Sequence, residues 1–141
     1  MTSRKDIRTG VIGVGSMGQN HARVYNDISN LVAVSDYNEV QGEKVAKRFG
    51  VKYYKDYKEM LSEIDAVSVA VPTIYHNEVS LEVVKSGTHL LVEKPLSENF
   101  DSGLEIVKMA TEKSVIMAVG HIERHNPVVK FAKQCIENNY D

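Results

Sequence analysis

Three groups of residues in this sequence have the types and spacing to do chemistry. They are the run Gly13-Val14-Gly15-Ser16-Met17-Gly18, the acid Asp36, and Lys94 within Glu93-Lys94-Pro95. The glycine run follows the apolar pair Val11-Ile12 and opens a helix-like segment, and Asp36 lies 18 residues beyond Gly18. A Gly-x-Gly-x-x-Gly run between strand and helix, with an acid about 20 residues on, is the pattern of a dinucleotide site. Gly13 can turn sharply out of the strand, Gly15 leaves the backbone open to a pyrophosphate, and Gly18 lets the helix lie close to the sheet. Ser16 and Met17 begin that helix, where free N–H groups and the helix dipole favour an anion. The competing reading is a glycine-rich turn with no ligand. Asp36, at a strand end, can accept hydrogen bonds from both ribose hydroxyls and would repel a 2′-phosphate. It therefore predicts NAD over NADP, and Tyr37 rather than an arginine follows it. Its other reading is a turn or helix-capping aspartate.

Glu93-Lys94-Pro95 directly follows an apolar strand, and in an open parallel sheet ligands bind beyond the carboxyl ends of the strands. Lys94 would then face the cofactor crevice. Its ammonium can hold a hydroxyl oxygen and stabilise charge as the hydroxyl loses its proton, and burial would lower its pKa. The other reading is a solvated loop lysine. His76, four residues after Pro72, either lines the same crevice or sits on a helix surface. His121, Arg124 and His125 cluster after the last strand. Pro127 disfavours helical geometry at Asn126, and no cysteine or carboxylate set completes a metal site, so no metal is expected. No Gly-x-Ser-x-Gly elbow and no Gly-Lys-Ser/Thr ending is present, which argues against serine hydrolysis and triphosphate chemistry.

Alternating strands and helices must position these groups. Strands are predicted at Thr9–Val14, Leu31–Ser35, Val51–Tyr54, Ala66–Val71, His89–Val92 and Val115–Val119. Helices are predicted from Ser16 to about Asp27, after Asn38 with Gln41 completing a capping box and Gly50 closing, and after Thr73 with Val79, Val83 and Val84 inward. Asp56 caps a short helix. Ser97 would cap another helix, with Phe100, Leu104 and Val107 on one face. A further helix is predicted over Val128 to about Asn138. The valine-rich run from Ala66 suits a strand buried on both faces. The expected class is α/β, a doubly wound parallel sheet of the Rossmann NAD(P)-binding kind.

The 141 residues suffice for one domain, with 43% hydrophobic and 26% charged residues. A net charge of −2 gives nucleic acid no evident footing. Apolar runs are too short to span a bilayer, and no signal segment opens the chain. The lone Cys135 reads as a packed apolar residue and fits a reducing cytoplasm.

Together the motifs resemble the glucose–fructose oxidoreductase / inositol dehydrogenase family, Gfo/Idh/MocA. The matching segments are Val11–Gly18, Ala33–Asp36, Ala70-Val71-Pro72-Thr73 with His76, and Glu93-Lys94-Pro95-Leu96. Gly120–Pro127 resembles the family's junction between domains, most closely in members acting on nucleotide-linked amino sugars. The resemblance implies an NAD(P)-dependent dehydrogenase of sugars, sugar nucleotides or cyclitols, with Lys94 near the reacting hydroxyl. Pro72, Thr73, His76, Glu93, His121 and Arg124 would lie along the cofactor. It also implies a second α/β domain that carries most of the substrate pocket and the oligomer surface. The sequence ends at Asp141, so residues 1–122 are read as the dinucleotide-binding domain and 123–141 as the start of the second. Such a piece is expected to bind NAD without full turnover, and the complete enzyme to be a homo-oligomer. A non-catalytic NAD sensor and a methyltransferase are the competing classes, and Glu93-Lys94-Pro95 has no evident task in the latter.

Overall fold

The computed structural model describes residues 6–138. Six parallel strands form one sheet: β1 (Arg8–Ile12), β2 (Asn30–Ser35), β3 (Lys52–Tyr54), β4 (Ala66–Val69), β5 (His89–Val92) and β6 (Met117–Val119). Their order is β3-β2-β1-β4-β5-β6. The chain winds outward from β1 to one edge, then returns to lay β4 on the other side of β1. The strand order therefore reverses between β1 and β4, and a crevice opens there beyond the carboxyl ends.

Helices cover both faces. The helices α1 (Ser16–Ile28) and α2 (Glu39–Phe49) bury a cluster containing Val11, Val14, Ala22, Val34, Val45 and Ala46. On the opposite face lie α3 (His76–Lys85), α4 (Phe100–Glu112) and a 3-10 turn over Tyr57–Glu63. There Ile12, Met60, Val67, Val69, Val83, Val84 and Val92 pack together. Val11 and Ile12 thus serve opposite faces, as the strand period of two requires.

The α/β doubly wound class is as expected, and the differences are local. β1 and β4 stop two residues earlier than predicted, because the chain turns away at Gly13 and Ala70 to build the crevice wall. Asn38 caps α2, accepting from Gln41 N at 3.1 Å. The capping box is incomplete: the Gln41 amide donates to Val14 O at 3.0 Å instead. Thr73 does not cap α3 but begins a 3-10 turn, Thr73–Tyr75, with no side-chain capping bond. In α4 the cap is Asn99, not Ser97, which donates to Asn99 O. Its inward face is Gly103, Ile106 and Ala110, whereas Phe100 is 80% exposed. Gly103 lies close to the loop before α4, where a Cβ would meet Ser97 Oγ at 2.8 Å, and the bulky stripe of Phe100, Leu104 and Val107 turns away from the core. A last helix, α5 (Pro127–Glu137), is capped by Asn126 and buries none of its residues. The predicted stop over 138–141 lies mostly outside the described residues.

Candidate dinucleotide and substrate site

At the carboxyl end of β1 the backbone turns through Gly13, whose φ is +84°. A side chain there would be strained, and its Cβ would meet Ala70 O at 2.7 Å. Gly13 N donates to Ser35 O at 2.8 Å, which ties the turn to β2. Gly18 lies one turn into α1, and a Cβ there would fall on Gly13 O. The helix therefore starts hard against the turn. Gly15 caps α1 with no side-chain hydrogen bond, and a Cβ placed on it would meet nothing within 4 Å. The first N–H groups of α1 are thus left without a side-chain cap in front of open space. That is the arrangement a phosphate needs.

Asp36 is half-buried at the end of β2. Its Oδ2 accepts from Val14 N and its Oδ1 from Asn38 N, each at 2.8 Å. Tyr53 Oη donates to Asp36 O at 2.9 Å. The carboxylate is held in place by backbone donors, which costs less entropy on binding than a free side chain would.

Two clefts open along this edge of the sheet. The larger, about 1100 Å³, is lined by Gly13, Gly15, Ser16, Met17, Asp36 and Pro72, joined by Tyr37, Lys55, Tyr57, Tyr75 and Glu78. The smaller, about 660 Å³, is lined by Lys94, Pro95, Gly120, His121, Glu123 and Arg124. The structure thus sorts the sequence-predicted residues into a glycine-loop cleft and a lysine cleft. Lys94 is exposed, so the expected burial of its amine is absent. His121 and Arg124 are exposed beside it, Arg124 on a 3-10 turn, Ile122–His125, and His121 just before it.

Gly18, Thr73, His76 and Glu93 line neither cleft. Gly18, His76 and Glu93 are buried behind the walls, and Thr73 is half-buried next to Pro72. His76 is 1% exposed, with Nδ1 2.7 Å from Pro95 O and Nε2 2.9 Å from Val71 O. It ties the loop after β4 to the loop after β5 and is neither a crevice-lining nor a surface histidine. Glu93 is 7% exposed, and its Oε1 lies 2.7 Å from His21 Nε2. The Lys94–Pro95 bond is cis.

Sequence reasoning missed Lys55 and Tyr57, which follow β3, and Tyr75 and Glu78, which come from the 3-10 turn after β4 and the first turn of α3. Tyr57 Oη is buried without a hydrogen-bond partner. Burial first, then Glu78, Glu82 and Asp56, push its hydroxyl up to about 12. His21, three residues beyond Gly18, was also missed. Its position on α1 was readable, but its partners are 47 and 72 residues away. Among the described residues no group of three His, Cys, Asp or Glu side chains could hold a metal. No helix among them is long and apolar enough to cross a membrane.

The six-stranded order, the uncapped start of α1 and the anchored Asp36 define a dinucleotide-binding Rossmann domain. Residues 7–121 match the GFO_IDH_MocA oxidoreductase family, NAD-binding Rossmann fold, and the chain belongs to that family. The UDP-N-acetylglucosamine 3-dehydrogenase of Acidithiobacillus ferrooxidans is 36% identical over 128 residues, 91% of this chain and 41% of that protein. Its solved structure superposes with a TM-score of 0.87, covering 92% of this chain and 43% of that one. The myo-inositol 2-dehydrogenase of Thermotoga maritima is 33% identical, over 94% of this chain and 41% of its own length. The WlbA dehydrogenase of Chromobacterium violaceum, solved with NADH and UDP-GlcNAcA, is 26% identical with a TM-score of 0.90 and covers 98% and 41% of the two chains. The chain thus spans about two fifths of the relatives it matches. Its cofactor is NAD, and the open Gly15 and the uncapped α1 fit that group.

Proposed function

We propose that this chain is the cofactor half of a dehydrogenase that oxidises a CH–OH group of a sugar, sugar nucleotide or cyclitol. The observation that carries this reading is the pairing of two clefts on one sheet edge. One offers uncapped helix N–H groups beside Asp36, the other offers Lys94. The N–H groups of Gly15, Ser16 and Met17 would hold the pyrophosphate, and Asp36 the adenosine ribose. Pro72 would lie along the dinucleotide, with Gly13 and Gly18 shaping the turn. Thr73, His76 and Glu93 would act from behind the wall. NAD supplies the hydride acceptor when bound. Lys94 would hold the substrate hydroxyl by an N–H···O bond and stabilise the oxygen as its proton leaves. Arg124 and His121 would meet polar or anionic parts of the substrate.

Residues 1–122 form the dinucleotide-binding unit on this reading, and 123–141 lead into a second unit. The exposed face of α5, with Val128, Phe131 and Ile136 each more than 60% exposed, supports that division. A cytoplasmic homo-oligomer completes the proposal, and a strictly monomeric full-length enzyme in light scattering would count against the last part.

Calorimetric titration of the chain with NADH and NADPH tests the cofactor role. NADH should bind more tightly, and Lys94→Ala should leave that affinity within about twofold, because Lys94 faces the other cleft. Absence of NADH binding, or equal binding of NADPH, overturns the assignment.

A further inference from the structure

Behind the Lys94 cleft a polar chain crosses an otherwise apolar part of the sheet. Tyr25 and His21 project from α1, Ser68 from the middle of β4, and Glu93 from the end of β5. Ser68 Oγ donates to Tyr25 Oη at 2.7 Å and lies 3.1 Å from His21 Nδ1. His21 Nε2 is 2.7 Å from Glu93 Oε1, with the two side chains 16% and 9% exposed. The other carboxylate oxygen, Oε2, accepts the backbone N–H of Lys94 at 3.2 Å. Burial holds the Tyr25 hydroxyl above its ordinary pKa, against the opposing bond from Ser68.

Such a network is an expensive way to hold a fold together, because apolar side chains of similar volume would avoid the desolvation. Its ends are informative. One is α1, whose first turn faces the larger cleft. The other is the amide of Lys94 itself. Gly120 fits between: a Cβ there would meet Glu93 Oε2 at 3.1 Å, so the missing side chain admits the carboxylate to the back of the lysine cleft.

We propose that His21 is a positioning residue, which through Glu93 fixes the Lys94 loop relative to the glycine-loop helix. Its catalytic meaning rests on the role proposed above for Lys94, but the positioning itself does not. Ser68 orients the imidazole from Nδ1, Glu93 accepts at Nε2, and the second Glu93 oxygen pins the Lys94 backbone. The two clefts are thereby held in one register.

The test is competitive acetylation of the chain, followed by mass spectrometry, with the rate at Lys94 taken relative to Lys108 and Lys113 on and just beyond α4. His21→Gln places an amide where Nε2 stood and keeps a donor for Glu93. His21→Asn reaches only the Nδ1 position and leaves Glu93 without that partner. His21→Asn should change the relative Lys94 rate about threefold or more, and His21→Gln should keep it within about twofold. Glu93→Ala should match His21→Asn, and the double variant should change the rate no further than either alone. Equal behaviour of the Gln and Asn variants, or additive effects of His21→Asn and Glu93→Ala, overturns the proposal. Melting curves by circular dichroism confirm that each variant is folded, and Gln against Asn compares two polar residues of similar disruption. The labelling is done without dinucleotide. A chain that fails to bind NADH therefore refutes the proposed function and leaves the role of His21 to be decided by labelling alone.

Discussion

Gly15→Ala separates what the glycine loop needs in order to fold from what it needs in order to bind. Gly15 sits at φ −65° and ψ −161°, an extended conformation outside the left-handed region that favours glycine. A Cβ there meets nothing within 4 Å, so the empty domain accepts the methyl without repacking. Alanine also reduces the freedom of the unfolded chain, which stabilises by about 0.4–1 kcal/mol where the native conformation is compatible. For a chain of this size the melting temperature should rise by about 1–4 °C. Binding should respond in the opposite direction. The methyl would project into the space where a phosphate must approach the backbone, and misfits of that kind cost about 1–3 kcal/mol. NADH affinity should fall about 5- to 150-fold. Gly18→Ala is the contrast, because its Cβ would fall on Gly13 O and sit 2.8 Å from Gly13 C. That variant should lose about 1–3 kcal/mol of stability as well as affinity. Melting by circular dichroism and titration with NADH on the same samples measure both. A Gly15→Ala chain that melts several degrees lower, or binds NADH as tightly as the parent, would refute the reasoning.

Asp36→Asn keeps an acceptor for one backbone N–H but removes the charge, so the preference for NADH over NADPH should narrow about tenfold in paired titrations. Tyr57→Phe removes a buried hydroxyl that has no partner, and should raise stability by about 1 kcal/mol in urea unfolding. Because the Tyr57 hydroxyl is raised to about 12 in the folded chain, the native state keeps its proton where the unfolded state loses it. Stability therefore falls as pH rises from about 10 towards that value, and Tyr57→Phe should flatten this alkaline limb. Arg8 bonds both oxygens of Asp65, at 2.7 and 2.8 Å, and holds that carboxyl below its ordinary pKa. The stabilisation is present above about pH 4 and is lost as pH falls through the lowered value. Asp65→Asn should remove that part of the acid limb, a small effect because the pair is solvent-exposed.

Much of the architecture was readable because it is written locally. The valine-rich strands, the glycine turn and the Asn38 cap each depend on neighbours a few residues away. The errors share a cause, which is competition between local signals settled by distant packing. Ser97 was expected to cap α4, yet Asn99 does so, accepting from Ser102 N at 3.0 Å. Phe100, Leu104 and Val107 had helical spacing, yet the helix buries Gly103, Ile106 and Ala110 instead. The glycine-loop cleft was anticipated on its β1 and β2 sides. Its Tyr57, Tyr75 and Glu78 wall was not, because those residues carry no motif and come from the 3-10 turns after β3 and β4 and the start of α3. His76 and Glu93 were expected to face the crevice, and their burial depends on Pro95 and His21, 19 and 72 residues away.

The helix α5 is 11 residues long and buries none of them. Isolated helices shorter than about 12–15 residues are marginal in water. Its amides should therefore exchange with solvent far faster than those of α1, which is anchored through Gly18 and Ala22. Each tenfold slowing of α5 exchange when another surface covers it would correspond to about 1.4 kcal/mol of docking free energy. The helix is thus a built-in gauge, and deuterium uptake over Val128–Ile136 would read the strength of an association without an attached probe.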